Sequence, residues 1–180
     1  INRKNNFNLI NSKMGCSGVV GVATSDNSKG KRQSHEDIIN IIENNENDIN
    51  EIINELSNKN KTFDEFIENL KSQFNKHNLQ NDFCKAYIVY KWICENIIYD
   101  LENSNKEESK NISIEQIFIN RKTSSFSKLF AEIMEKIKIN VQIINGYIRR
   151  KDDEAVIEDW NIISLDGNKY FVDLLMGSGN

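Results

Sequence analysis

Few residues in this chain are of the types that carry nucleophilic or metal chemistry. There are three cysteines, Cys16, Cys84 and Cys94, and two histidines, His35 and His77. An odd number of cysteines cannot pair completely into disulfides, and none of their spacings is that of a zinc-binding motif. The histidines are too distant in sequence to form a recognisable ligand cluster with them. We therefore expect no metal site, no cofactor, no disulfide framework, and a reducing, cytoplasmic compartment.

Helical patterns fill most of the chain before residue 139. Apolar residues recur at helical spacing from Ser34 to Leu56, with an interruption near 44–47, and Thr62 with Glu65 forms a capping box before a second helix. A third helix is predicted at 82–101 and is apolar nearly all round, which indicates burial. Ser113 is predicted to cap a short turn, and a further helix is predicted to run from 123 or 124 to 138.

After Ile139 the apolar spacing becomes that of strands. Strands are predicted at 141–147, 159–165 and 169–174, and Asp166-Gly167 is a strong signal for a hairpin turn between the last two. Helices followed by antiparallel strands indicate an α+β fold, with helices packed on an antiparallel sheet. We divide the chain into a disordered leader (1–33), an N-terminal helical extension (34–78) and a core domain (79–180), and expect the core to continue beyond Asn180.

Composition argues against nucleic-acid binding and against a membrane-spanning segment. Over 180 residues the net charge is −4, and basic and acidic residues are interspersed, so no basic face is available to neutralise phosphates and no nucleic acid is expected. The apolar runs are short, so no membrane-spanning helix is predicted.

Several short motifs occur in a consistent order in the second half of the chain. They are Trp92, on a helix that ends in Ile97-Ile98-Tyr99-Asp100, then Gly146-Tyr147 at a strand end, and Trp160-Asn161 before the hairpin. With them, Ala86 to Gly179 resembles the core of the transglutaminase-like superfamily, the papain-related fold with Cys-His-Asp chemistry. The resemblance is strongest to the branch that contains kyphoscoliosis peptidase and fungal cytokinesis proteins.

The resemblance also implies that the catalytic triad is degenerate. Thr123, in the segment Thr123 to Phe130, stands where the family has its nucleophilic cysteine, and Glu158 stands where it has histidine. Only Asp173, whose role in the family is to orient the imidazole, is retained. The start of a helix activates a thiol far more than a hydroxyl, so threonine would need a strong adjacent base.

Three hypotheses for function follow. The first is a catalytically inactive domain that binds or scaffolds other proteins, in cytoskeletal or cytokinetic assembly as the resemblance implies. The second is a hydrolase or acyltransferase that uses Thr123 or a nearby serine (Ser124, Ser125 or Ser127) with Glu158 and Asp173. The third is that helices within 34–76 form the working surface and the core supports them.

Two further pairs of residues have structural interpretations. Trp92 and Trp160 are predicted to be buried aromatics that fix helix-on-sheet packing, rather than the lining of a ligand groove. Glu158 and Asp173 are predicted to be a partly solvated pair, or to hydrogen-bond at the helix start, rather than to share a proton or a metal.

The N-terminal segment allows an alternative to a plain leader. If translation starts at Met14, Gly15 becomes available for myristoylation and Cys16 for palmitoylation, and two acyl chains anchor a protein stably where one does not. Val19, however, occupies a position where the myristoylation pattern prefers serine or threonine. A membrane surface is thus a second candidate partner, through the inner face of the membrane.

Overall fold

The computed structural model describes residues 20–22, 35–59, 62–100, 112–149 and 155–178. The helices are α1 (His35–Asn44), α2 (Glu46–Lys59), α3 (Phe63–Lys76), α4 (Asp82–Asn96), α5 (Ile114–Asn120), α6 (Phe126–Lys136) and α7 (Leu174–Gly177). The strands are β1 (Val20–Val22), β2 (Ile98–Tyr99), β3 (Lys122–Thr123), β4 (Asn140–Arg149), β5 (Ala155–Leu165) and β6 (Asn168–Val172). The helices in these ranges are all too short or too polar to cross a membrane.

The predicted helix boundaries follow local capping chemistry. The interruption near 44–47 is the break at Asn45 between α1 and α2. The Thr62–Glu65 capping box is present in both directions at the start of α3, and Ser113 caps α5 in the same way with Gln116. Helix α4 ends at Asn96 rather than near 101, because Ile98 and Tyr99 pair in parallel with Lys122 and Thr123.

The main sheet has the strand order β1-β6-β5-β4, and all its pairs are antiparallel. Strands β5 and β6 are joined by the predicted turn, in which Asp166 (φ 50°) and Gly167 (φ 76°) both adopt the left-handed conformation of a tight hairpin. The predicted α+β architecture, with helices on an antiparallel sheet and additional helices at the N-terminal side, is confirmed.

Strand β1 lies inside the predicted leader, where the sequence has no strand period. Val20 pairs with Val172 and Val22 with Tyr170 along the edge of β6. Adding a strand to an open edge needs only backbone hydrogen bonds, so an alternating side-chain pattern is not required. The other residues of 1–33 lie outside the described ranges.

Trp92 is at the centre of the helical core. It is completely buried, and its ring lies 4.3 Å from that of Phe66 and 5.9 Å from that of Phe118 (centroid to centroid). The guanidinium of Arg121 lies over both Trp92 (5.0 Å) and Phe118 (4.2 Å). Burial lowers the pKa of Arg121, because a desolvated cation is disfavoured. The prediction that Trp92 is buried is confirmed, but its ring contacts with Phe66 and Phe118 join α4 to helices α3 and α5 rather than to the sheet.

Trp160 occupies a different layer from the one predicted. Along β5 the buried positions are Asn161, Ile163 and Leu165, which face the helices. Since side chains alternate along a strand, Trp160 lies on the opposite face, where it is half-buried and packs on Phe171 at 5.6 Å. The expectation that Trp160 fixes helix-on-sheet packing is therefore corrected.

Candidate functional site

Thr123, at the position of the expected nucleophile, lies where β2, β3 and α6 meet. Thr123 pairs with Tyr99, and the backbone N–H of Asp100 donates to the Thr123 carbonyl at 2.8 Å. Lys122 Nζ lies 3.1 Å from Asp100 Oδ1, and the Tyr99 ring packs on Phe126 at 5.2 Å. The Tyr99-Asp100 motif thus sets the place of Thr123 and of the first residue of α6.

The hydroxyl of Thr123 is engaged locally. The residue is 3% exposed, and its Oγ1 accepts from the Ser125 N–H at 3.0 Å and donates to the Ser125 carbonyl at 3.4 Å. This closed turn uses the hydroxyl as a backbone partner. The Thr123 hydroxyl is therefore buried, and both of its hydrogen bonds lie within its own loop.

Two of the neighbouring serines, Ser125 and Ser127, also bond to the backbone. Ser125 is the N-cap of α6, with its Oγ accepting from the Lys128 N–H at 3.3 Å. Ser127 is buried, and its Oγ donates to the Asp159 carbonyl at 2.6 Å. Within the described part of the chain, neither hydroxyl is hydrogen-bonded to a side chain that could act as its base.

Ser127 and Asn161 join α6 to the sheet. Asn161 is completely buried, and its Nδ2 donates to the Ser127 carbonyl at 3.0 Å. Together with the bond from Ser127 to the Asp159 carbonyl, this fixes the first turn of α6 on β5. Asn161 was included among the motif residues, but the sequence does not show that Ser127 is its partner, because the contact joins residues 34 positions apart.

Asp173 is held by two donors. Its Oδ2 accepts from the Trp160 indole Nε1 at 3.2 Å, and its Oδ1 accepts from the Met176 N–H at 3.0 Å. The second contact makes Asp173 the N-cap of α7. The Asp173 carboxylate thus caps a helix and anchors an indole.

Glu158 lies across from Gly146 in the β4–β5 pair and is half-buried. It is two residues from Trp160, so both side chains are on the sheet face that points away from the helices. The indole of Trp160 lies over Gly146, where a Cβ would come within 2.6 Å of the ring. A side chain at 146 would therefore force the indole ring to move. Tyr147, the other residue of this motif, is 73% exposed.

The cysteines and histidines of the described ranges do not form a site. Cys84 is buried and has its pKa raised by desolvation, and Cys94 is half-buried with its Sγ 3.7 Å from the Leu174 carbonyl. His77 Nδ1 lies 2.8 Å from Asp48 Oδ1 on α2. Within the described ranges, no three His, Cys, Asp or Glu side chains are placed to hold a metal ion. The candidate lipidation residues Gly15 and Cys16 lie outside those ranges.

Comparison with known proteins gives the family. The model of the transglutaminase-like superfamily matches residues 69–172. A solved structure described as a crystal structure of a TGase aligns with a TM-score of 0.45 and 14% identity, over 81% of this chain and 34% of that one. The chain therefore spans about a third of the length of that solved protein. A search of curated proteins found no match. Because the family model covers more than half of the residues, the chain belongs to the transglutaminase-like superfamily.

Proposed function

We propose that this transglutaminase-like domain does not catalyse a reaction and acts as a protein-binding or scaffolding module. The observation that carries the proposal is the state of Thr123. The residue in the nucleophile position is buried, is not a thiol, and has its hydroxyl closed on Ser125. Without a thiolate at the helix start, the first step of papain-like chemistry has no nucleophile.

The other two positions support the same proposal. Glu158 carries a carboxylate where a base and proton donor of imidazole type is needed, and Asp173 has both oxygens bound to structural donors. A hydrolase based on Thr123, Glu158 and Asp173 would need the hydroxyl to reach a base. Instead, the hydrogen bonds of the Thr123 hydroxyl both go to Ser125.

The partner proposed is another protein, in cytoskeletal or cytokinetic assembly. This part of the proposal comes from the resemblance of Trp92, Tyr99-Asp100 and Trp160-Asn161 to the motifs of kyphoscoliosis peptidase and fungal cytokinesis proteins. The polar contacts of Ser127, Asn161 and Asp173 are all with the protein's own helices and strands, as expected of residues with structural roles.

The test compares the proteins that co-purify with the full chain and with the double variant Thr123→Ala, Glu158→Ala. A scaffold keeps the same partners in both, because neither side chain is needed for binding. A partner that co-purifies with only one of the two forms depends on Thr123 or Glu158, as a substrate would. That result would contradict the proposal. The single variant Asn161→Ala, which disturbs the core, is the control for loss of binding through unfolding.

A further inference from the structure

The two edges of the main sheet differ. At one edge, β1 pairs with β6. At the other edge, β4 pairs with β5 through ten consecutive register positions and has no partner on its outer side among the described residues. A strand of ten residues with a free row of backbone donors and acceptors is a template for another strand.

Strand β4 lacks the features that usually protect an edge. Natural sheets block edge pairing with charged side chains, prolines or bulges. From Asn140 to Ile148 the strand has no charged residue, the chain contains no proline, and the register with β5 runs without a bulge. Among the residues that the structure describes, the edge is therefore open to pairing along almost its whole length.

Exposed apolar side chains mark the same edge. Tyr147 is 73% exposed and pairs directly with Ile157, which is 65% exposed, while Ile143 is 40% exposed. These three residues lie on one face of the β4–β5 hairpin, since they occupy positions of the same parity in the register. Large apolar groups gathered at an unprotected edge are typical of a contact surface.

We propose that β4 pairs antiparallel with β4 of a second copy of this chain, which makes a two-fold symmetric dimer with a continuous eight-stranded sheet. The pairing we infer places Asn145 opposite Asn145 of the second copy. Ile143 of each copy then lies opposite Tyr147 of the other, so the two exposed apolar residues cover each other twice.

A second copy fits this edge better than a charged partner. The chain carries a net charge of −4, but the strand from Asn140 to Ile148 carries none, so two copies meet there without like charges facing each other. The two-fold axis is perpendicular to the sheet, so side chains of like parity share a face across the junction. The Tyr147–Ile157 pair of each copy therefore lies on the same face as Ile143 of the other copy, next to it across the junction.

The first experiment is light scattering on the full chain over a wide range of concentrations. We expect twice the 20.9 kDa of one chain at high concentration. Tyr147→Lys and Ile143→Lys are each expected to weaken association about tenfold or more, because they place two lysines in the contact. Ile98→Lys is the matched control, since Ile98 is 64% exposed but lies on β2, away from this edge.

Circular dichroism of each variant establishes that it remains folded. A monomer at all concentrations overturns the proposal. So does a dimer that survives both lysine substitutions on β4, or one that Ile98→Lys weakens to the same extent.

The second experiment tests the register. In a background with Cys16→Ser and Cys94→Ser, Asn145→Cys should form an intermolecular disulfide under mild oxidation, because the two copies of position 145 face each other. Gln142→Cys is the control, since position 142 faces position 148 of the other copy in this pairing. Equal cross-linking at both positions, or cross-linking at 142 alone, contradicts the proposed register.

Discussion

The indole Nε1 of Trp160 donates a hydrogen bond to Asp173 Oδ2 at 3.2 Å. The other oxygen of the same carboxylate accepts the N–H of Met176 and caps α7. One carboxylate therefore joins the outer face of β5 to the start of α7. This pair of contacts gives Asp173 a structural role in the fold.

Asp173→Ala is expected to destabilise the fold by about 1 to 2 kcal/mol, through loss of the N-cap and of the indole acceptor. Asp173→Asn should cost less, because its amide oxygen can still accept from the Met176 N–H, although its amide nitrogen cannot accept from the Trp160 indole. The free energies come from urea denaturation. Equal losses for the two variants would mean that the negative charge, rather than the capping geometry, is what the site uses.

Gly146→Ala tests the close approach between β4 and Trp160. A methyl group at 146 would lie 2.6 Å from the indole ring, so the ring must shift, at an expected cost of about 1 to 3 kcal/mol for overpacking. In a Trp160→Phe background the smaller ring leaves room and the cost should fall. A double-mutant cycle of thermal or denaturant unfolding measures this coupling, and a coupling energy of zero would show that the two residues do not compete for space.

The two tryptophans should differ in their contribution to stability. Trp92 is completely buried among Phe66, Phe118 and Arg121, so Trp92→Ala should cost about 3 to 5 kcal/mol. Trp160 is half-buried on the outer face, so Trp160→Ala should cost clearly less. Chemical denaturation of both variants decides the order, and a larger loss for Trp160 would place it in the main core after all.

Ser127 and Asn161 should both contribute to stability. Ser127→Ala removes the bond to the Asp159 carbonyl at an expected cost of about 1 kcal/mol, while Asn161→Ala removes a buried hydrogen bond to the Ser127 carbonyl and should cost about 1 to 3 kcal/mol. The exposed Asn168, whose Nδ2 donates to the Asp166 carbonyl, supplies a control, since Asn168→Ala should have a small effect. Equal effects at 161 and 168 would contradict the role of Asn161 in joining α6 to β5.

The reactivity of the Cys84 thiol should increase as the pH rises. Burial raises its pKa above the ordinary value of 9.0, so the thiolate is disfavoured in the folded chain. Alkylation of native Cys84 by iodoacetamide should therefore be slow at neutral pH and rise in alkaline solution. The stabilisation from this neutral thiol is present below its ordinary pKa and is lost as the pH increases through the raised value. Peptide mass spectrometry measures the alkylation rate of Cys84, with the half-buried Cys94 as the internal reference. Faster labelling of Cys84 than of Cys94 at pH 7 would contradict the raised pKa.

The sequence predicts those parts of the fold that depend on neighbouring residues. The Thr62–Glu65 capping box and the Asp166-Gly167 turn are local, and both are present as predicted. The two-residue strands β2 and β3 were not predicted, because their pairing joins residues more than twenty positions apart and leaves no periodic pattern. The face of Trp160 was assigned wrongly because Trp160 to Ile163 has no clear apolar alternation. The buried residue on this strand is the polar Asn161, whose amide nitrogen donates to the Ser127 carbonyl in α6, a partner distant in sequence.

The same distinction holds at the candidate site. The resemblance in sequence assigns Thr123, Glu158 and Asp173 to the positions of the triad. The closed turn of the Thr123 hydroxyl and the two donors to Asp173, however, are contacts that only the folded chain defines.

The central claim is that the domain has lost its chemistry, and the direct measurement is the activity of the purified chain beside Thr123→Ala and Glu158→Ala. Hydrolysis of a fluorogenic peptide library and incorporation of a labelled amine into a glutamine peptide report the two reactions of the superfamily. We predict that the unaltered chain gives the same signal as both variants, at the level of the buffer blank. A signal from the unaltered chain that disappears with Thr123→Ala or Glu158→Ala would contradict the account.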